Sequence, residues 1–338
     1  MNETVTLSQA KNIIKALAAD ESVLLLSSPG LGKSDIVRNA AAEAGLECRS
    51  LLGTQIAPED VSGVPKIDGE RSVFCPPRIL LPEDDKPFCL FLDELPAAGP
   101  DVQKAFYALL LERRIGEFNL PKGTWVVAAG NRAEDRALVR TISSALVNRV
   151  LILHVRVDNE EWISWARANT IRSEIIAFIS AVPDALMRSA PPEPVPFSTP
   201  RAWASLSASL DLAESAGLPL EQTRRALAYG KVSAGDASLF CGLAESGMED
   251  LKSASAYIRD PSLLPAEPAR KWFIIRMIRK LAAEGGLSGF SPDEIETFLS
   301  SLPGEIRFSL LVGLVNIWGD LGASDSLLSS LREATGLR

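Results

Sequence analysis

Eight consecutive residues, Ser27 to Ser34 (SSPGLGKS), have the make-up of a loop that holds phosphate. A short apolar run, Ser22 to Leu26, precedes them, and Asp35 to Ala44 after them reads as a helix. Strand, glycine-containing turn and helix is the context such a loop requires. Gly30 and Gly32 can adopt conformations closed to other residues. The segment Ser28, Pro29, Gly30, Leu31 and Gly32 can therefore wrap a phosphate with inward-pointing N–H groups, helped by the positive end of the following helix. Lys33 then meets the β- and γ-phosphates of a nucleotide, and Ser34 holds Mg²⁺ through its hydroxyl. Ser27 stands where the pattern GxxxxGK(S/T) has its first glycine. The departure is mild, because the Gly-Lys-Ser end carries most of the ligand contacts. The plainer alternative is an ordinary strand-to-helix turn that spells GKS.

A second stretch, Phe88 to Glu94 (FCLFLDE), places two carboxylates at the end of an apolar run. Such a run reads as a strand buried on both faces of a parallel sheet, and ligands of open α/β sheets bind at the carboxyl ends of strands. Asp93 can hold Mg²⁺, usually through water, and Glu94 can orient or deprotonate an attacking water. The alternative is a strand capped by solvated acids. Asn131 ends another apolar strand, Trp125 to Gly130, and can hydrogen-bond a γ-phosphate or the water, or simply cap a turn. Arg149 follows a helical stretch, Thr141 to Asn148. At a helix end an arginine commonly only offsets the dipole, and a functional role needs a neighbouring subunit's nucleotide. At Thr199-Pro200-Arg201 a helix begins, with Thr199 as cap and Pro200 in the first position. A basic residue is disfavoured in the first turn, so Arg201 reads as placed for a ligand.

The elements that must position these residues follow from periodicity. Leu7, Ala10, Ile13, Ile14, Leu17 and Ala18 recur at helical spacing ahead of the first strand. Glu47 to Leu52 reads as a second strand, TQIAPEDVSGVP as loop, and KIDGERSVF as a hairpin turning at Asp68-Gly69. Pro100 to Glu112 is predicted helical, RRIGEFNLPKGTW a second hairpin, and VLILHV after Arg149 a strand. After Asp158 the pattern turns helical. Trp162 and Trp165, three apart, read as core. A proline-rich link spans Pro191 to Pro200. From Lys231 onward the chain reads as helices without a legible motif, with Phe308 to Trp318 as a buried helix. Arg276, Arg279 and Lys280 share one face, read as solvated.

At 338 residues and 46% hydrophobic content the chain is long enough for a buried core and two or more domains. Net charge is −8, from 35 basic and 43 acidic side chains, which argues against a general affinity for nucleic acid or anionic membrane. Cys48, Cys75, Cys89 and Cys241 lie far apart in the chain with no CxxC pair, so they read as small core residues rather than a zinc site or a disulfide framework. His154, the single histidine, excludes multi-histidine metal sites and reads as packing on a strand. The first residues lack the order of a signal peptide, and no apolar run approaches the ~18 residues of a membrane span. The expected location is cytoplasmic.

The order GKS, DE after an apolar strand, Asn at the end of the next, Arg after a helix and Arg at a later helix start resembles that of the AAA+ ATPases. Within them it looks most like the MoxR-type group. That closer resemblance is carried by APEDVSGVP, FCPPRILLP, LFLDELPAAGPDVQKAFYALLLERRIGEF, WVVAAGNRAEDR, SSALVNRV and FSTPRAW, and covers about the first 210 residues. It implies that Lys33 and Ser34 are the Walker A pair, Asp93 and Glu94 the Walker B pair, and Asn131 sensor 1. It makes Arg149 an arginine finger reaching the adjacent protomer, with Arg136 and Arg140 the next candidates, and Arg201 sensor 2. The two hairpins would face a central pore or a client. The implied fold is a P-loop parallel sheet flanked by helices over residues 1–157, a small helical lid over 158–230 and a helical extension over 231–338. The implied activity is Mg²⁺-dependent ATP hydrolysis by a hexameric ring that remodels a protein client, often with a von Willebrand factor A-type partner. Two alternatives stand beside it. One is a nucleotide-gated scaffold with little turnover, motivated by Ser27. The other is a motor on DNA, motivated by Arg113, Arg114 and the basic face around Arg276, and opposed by the acidic net charge.

Overall fold

The computed structural model describes residues 3–81, 85–132, 144–245, 252–283 and 285–311. The chain divides into two compact units. The first comprises Met1–Trp165, Met187–Leu206 and Lys231–Ser233, and the second comprises Ala166–Leu186, Ser207–Gly230 and Ala234–Arg338.

In chain order the elements are β1 (Thr4–Val5), α1 (Leu7–Leu17), β2 (Val23–Ser27), α2 (Lys33–Glu43), β3 (Cys48–Leu52), α3 (Glu59–Ser62), β4 (Val64–Asp68) and β5 (Arg71–Cys75). Then come β6 (Cys89–Asp93), a 3-10 turn (Leu95–Ala97), α4 (Pro100–Glu112), β7 (Arg114–Ile115), β8 (Phe118–Asn119), β9 (Trp125–Asn131), α5 (Ser144–Val147), β10 (Leu151–Val155) and α6 (Asn159–Ala168). The helices α7 (Ser173–Ala181), α8 (Pro200–Ser215), α9 (Leu220–Tyr229), α10 (Ala234–Glu245), α11 (Ala254–Arg259), α12 (Pro268–Ala283), α13 (Pro292–Ser301) and α14 (Gly304–Leu311) follow.

The first unit is built on a six-stranded, wholly parallel sheet of order β1-β10-β2-β9-β6-β3. Its central strands are continuous apolar runs because both faces are covered. On one face Leu24, Leu90, Leu92, Val126 and Ala128 pack with Phe106 and Leu109 of α4. On the other, Val23, Leu25, Cys89, Phe91 and Val127 pack with Ile14 of α1 and with Val37 and Ala40 of α2. Helix α1 starts from a capping box, in which Thr6 accepts from the Gln9 N–H and the Gln9 side chain accepts from the Thr6 N–H.

Strand β1 pairs with β10 through Thr4 and Val5, two residues too few to show a period. The stretch read as loop after Thr54 contains α3 and the start of β4. In the first hairpin Asp68 pairs with Arg71, so the two-residue turn is Gly69-Glu70. Gly69, at φ 62°, is the first turn residue, where such hairpins call for glycine. Only residues 144–147 of the expected helix before Arg149 are described as helix, and residues 141–143 lie outside the described residues.

The second unit is helical throughout its described part. Phe178 meets Phe240 edge to face, at 5.6 Å between centroids. Arg172 pairs with Glu174, Asp211 and Glu214 and donates its backbone N–H to Ser207. Those carboxylates raise the Arg172 pKa against the opposing effect of burial. Helices α11 to α14 share a core that includes Tyr257, Ile274, Ile278, Phe298, Leu299 and Leu310. Within the expected Phe308–Trp318 helix, Leu310 and Leu311 are buried but Phe308 is 40% exposed, and residues 312–318 lie outside the described residues. No helix among the described residues is long and apolar enough to cross a membrane.

Candidate functional site

The carboxyl ends of neighbouring strands bring the predicted residues together. Ser27 ends β2 and is the register partner of Asn131 at the end of β9. Asp93 ends β6 beside Leu52 of β3. Between β2 and α2 the chain turns through Gly30 at φ 75° and Gly32 at φ 111°. A Cβ on Gly30 would lie 2.6 Å from Thr199 Oγ1, so this position excludes a side chain by contact as well as by backbone angle. Gly32 precedes α2 and provides no side-chain cap. The first N–H groups of an eleven-residue helix are therefore left to a ligand at its positive end.

Lys33 is buried, and its Nζ donates to Ser27 Oγ (2.9 Å), Asn131 Oδ1 (3.1 Å) and the carbonyls of Ser27 (3.2 Å) and Ser28 (3.3 Å). All of these acceptors belong to the loop or to the neighbouring strand end. Ser34 Oγ donates to Asp93 Oδ2 at 2.6 Å. A hydroxyl and a carboxylate side by side are the hard oxygen donors that Mg²⁺ takes. Among the described residues no group of three or more His, Cys, Asp or Glu side chains could hold a metal. A cation here would thus draw its remaining ligands from phosphate oxygens and water, as Mg²⁺ commonly does, and the residues present fit it.

Glu94 adopts a left-handed backbone, φ 55° and ψ 30°, which is uncommon for a residue with a side chain. Its Oε2 accepts from Thr54 Oγ1 at 2.7 Å, and its N–H donates to Asp93 Oδ1. Thr54 was missed by sequence reasoning because it lies in an apparent loop, and only the pairing of β3 with β6 brings it to Glu94. Arg132 was missed as well. It follows Asn131, and its Nη2 donates to Ser28 Oγ at 2.8 Å, adding a second cation at the loop. Ser27, read as a mild departure from the motif, is fully buried, and both its hydroxyl and its carbonyl accept from the Lys33 ammonium.

Beside the loop lies a cavity of about 220 Å³ whose lining includes Leu7, Leu31, Ile36, Trp162, Trp165 and Arg201. Of the two tryptophans read as core, Trp162 is core and Trp165 is not. Trp162 is buried but Trp165 is 42% exposed, and both line this cavity with ring centroids 6.3 Å apart. Trp162 Nε1 is buried without a hydrogen-bond partner among the described residues. The cavity wall is fixed by Glu161 of α6, which accepts from the Thr6 hydroxyl and the Ser8 N–H at the start of α1.

Arg201 lies beside the loop. Its N–H donates to the Gly30 carbonyl at 3.0 Å, its exposed side chain lines the cavity, and Thr199 Oγ1 accepts from the Ala202 N–H as helix cap. Arg149 is not at the site of its own chain. It is exposed just before β10, at the amino edge of the sheet, where it lines an open cleft of about 530 Å³ with Asp20, Glu21 and Glu112. Arg136 and Arg140 lie outside the described residues. Arg113 donates to the Thr124 and Ala18 carbonyls, Arg114 pairs with Glu112, and Arg279 donates to the Ser309 carbonyl. Three of the arginines behind the DNA alternative are therefore engaged within the chain. Arg276 is exposed, and the side chain of Lys280 lies outside the described set.

No family model matches the chain, and no curated protein matches it. Among solved structures it is similar to a RuvB variant of Thermotoga maritima, at 17% identity and a TM-score of 0.42, over 83% of this chain and 85% of that one. NtrX of Brucella abortus is 13% identical with a TM-score of 0.40, over 99% of this chain and 69% of that one. A structure described as a putative ATPase from Cytophaga hutchinsonii is 13% identical with a TM-score of 0.36, over 96% and 88%. Likeness at this distance carries no functional argument.

Proposed function

We propose that this chain hydrolyses ATP as an AAA+ ATPase of the MoxR-like kind. The observation that carries the reading is the hydrogen-bonded cluster of Lys33, Ser34, Asp93 and Asn131 at the carboxyl ends of adjacent strands, directly before the open N-terminus of α2. Phosphates replace the carbonyls around Lys33, with the first N–H groups of α2 and the Arg132 guanidinium around them. Mg²⁺, held by Ser34 and Asp93, neutralises charge on the phosphates when bound. Glu94 takes the proton of the attacking water, and Asn131 orients that water or the γ-phosphate. The nucleobase enters the tryptophan-lined cavity, where the exposed Trp165 ring offers it an apolar face.

Arg149 sits at the opposite sheet edge from its own loop, so its role in turnover requires a neighbouring subunit. The assembly in this reading is a hexameric cytoplasmic ring acting on a protein client with a von Willebrand factor A-type partner.

Two variants test the core of the reading. Lys33→Ala abolishes ATP binding in a calorimetric titration, while Glu94→Gln binds ATP and loses ~10²–10⁴-fold in hydrolysis, the span of general-base contributions. Wild-type turnover in Glu94→Gln would remove Glu94 from its role.

A further inference from the structure

Two of the four cysteines, separated in sequence, stand side by side in the sheet. Cys48 opens β3 and Cys89 opens β6, and the two are register partners. Directly paired residues project from the same face, and both lie in the apolar layer against α1 and α2. Adjacent strands are ~4.8 Å apart, within the ~4.4–6.8 Å of Cα separations that a disulfide spans. Both are free thiols, and the Cys89 thiol is placed to support a thiolate on Cys48.

The two positions differ in a way that divides the labour. Strand β3 is the outer strand of the sheet and Cys48 is only partly buried, whereas Cys89 is fully buried. We propose that Cys48 and Cys89 form a peroxide-reactive pair, in which Cys48 is oxidised first and Cys89 closes an intrachain disulfide between β3 and β6. The Cys89 hydrogen bond, with help from Ser50 and the Arg38 charge, brings the Cys48 thiol down to about 7, against the opposing effect of burial. Cys89 is shifted upward by the same hydrogen bond and by its burial, so it stays a thiol until called on. A thiol lowered toward neutral pH on a partly exposed edge strand, beside a second thiol, is the arrangement of redox-sensing pairs.

The chemistry balances with hydrogen peroxide as oxidant. The Cys48 thiolate attacks one peroxide oxygen, the S–O bond forms as the O–O bond breaks, and the departing hydroxide takes a proton to leave as water. The Cys89 sulfur then attacks the Cys48 sulfur, forming the S–S bond and breaking the S–O bond. The Cys89 proton leaves with the hydroxyl as a second water. The two sulfurs together give up two electrons to the peroxide.

The test is peptide mapping of the full chain without reduction, after a short exposure to hydrogen peroxide at neutral pH and alkylation of the remaining thiols. The expected product is a peptide joining Cys48 to Cys89, lighter than its parts by two hydrogens and lost on treatment with dithiothreitol. Cys75, exposed on β5, serves as the internal reference and stays unoxidised at the same dose. In Cys89→Ser, Cys48 accumulates as sulfenic acid and is captured by a 1,3-dione. The mapping of the natural chain decides the matter even if that variant folds poorly. The proposal fails if Cys48 remains reduced while Cys75 oxidises, if Cys48 passes to sulfinic acid without a linked peptide, or if it joins Cys75 or Cys241 instead.

Discussion

The Lys33 ammonium donates to oxygen acceptors of Ser27, Ser28 and Asn131, and the two serine carbonyls among them lie on the proposed phosphate loop. A ligand phosphate therefore exchanges for existing hydrogen bonds, and its advantage comes from its charge. Ser27 belongs to that set through its hydroxyl, so the departure from the first glycine is a substitution of one Lys33 acceptor rather than a gap. Ser27→Ala leaves three acceptors in place. The expected loss of ATP affinity by calorimetric titration is at most ~10²-fold, since one hydrogen bond to a charged group contributes ~1.5–3 kcal/mol. A loss as complete as that of Lys33→Ala would show that Ser27 holds the lysine by itself. Most of the site's residues were legible in the sequence because the motif is local: Ser28 to Ser34 are contiguous, and Asp93, Glu94 and Asn131 each end an apolar run. Thr54, Arg132 and the Cys48–Cys89 pair were not, because each acquires its neighbour only through strand register or a long-range contact.

At the scale of elements, the loop is held between α2 and the start of α8. The Arg201 N–H and the Thr199 side chain both approach Gly30, which is therefore a packing position as well as a hinge for the turn. Gly30→Ala places a methyl in contact with Thr199 at a φ that disfavours any side chain. It should lower the unfolding free energy by ~1–3 kcal/mol, read from denaturant unfolding. An unchanged midpoint would mean that α8 does not rest on the loop. Helix α6, which walls the cavity, is capped by Asp158, whose Oδ1 accepts the Glu161 N–H. That backbone hydrogen bond, together with the Arg156 charge, holds the Asp158 pKa below the usual carboxylate range. A depressed folded pKa gives stabilisation that is present above the unfolded pKa of ~3.9 and lost as pH falls through the folded value. Asp158→Ala should cost ~1 kcal/mol at neutral pH, the usual worth of such a cap, and the difference from the natural chain should vanish in acid. A difference that persists at low pH would assign the effect to packing. Long apolar strands and capped helices announce themselves in sequence. Strand β1, two residues long, carries no period, and the tryptophan spacing on α6 does not say which side of the helix meets a cavity.

At the scale of the whole molecule, the placement of Arg149 divides the account into two parts. The proposed phosphate site is drawn from one chain. The arginine that would stabilise charge during transfer stands at the amino edge of the sheet, away from the loop at the carboxyl edge. Arg149→Ala should bind ATP as the natural chain does and hydrolyse it at least ~10²-fold more slowly, a conservative bound on the ~10³–10⁵ that a finger in trans contributes. Normal turnover in that variant would move the role to another arginine, with Arg136 and Arg140 the first to substitute.

The most direct measurement is the MgATP hydrolysis rate per chain as a function of protein concentration, with Lys33→Ala run alongside. A per-chain rate that rises and then levels off, with no turnover by Lys33→Ala, is the predicted result: the loop is the site, and it is completed between subunits. Absence of both ATP binding and hydrolysis at every concentration of the natural chain would contradict the assignment of the loop as a nucleotide site.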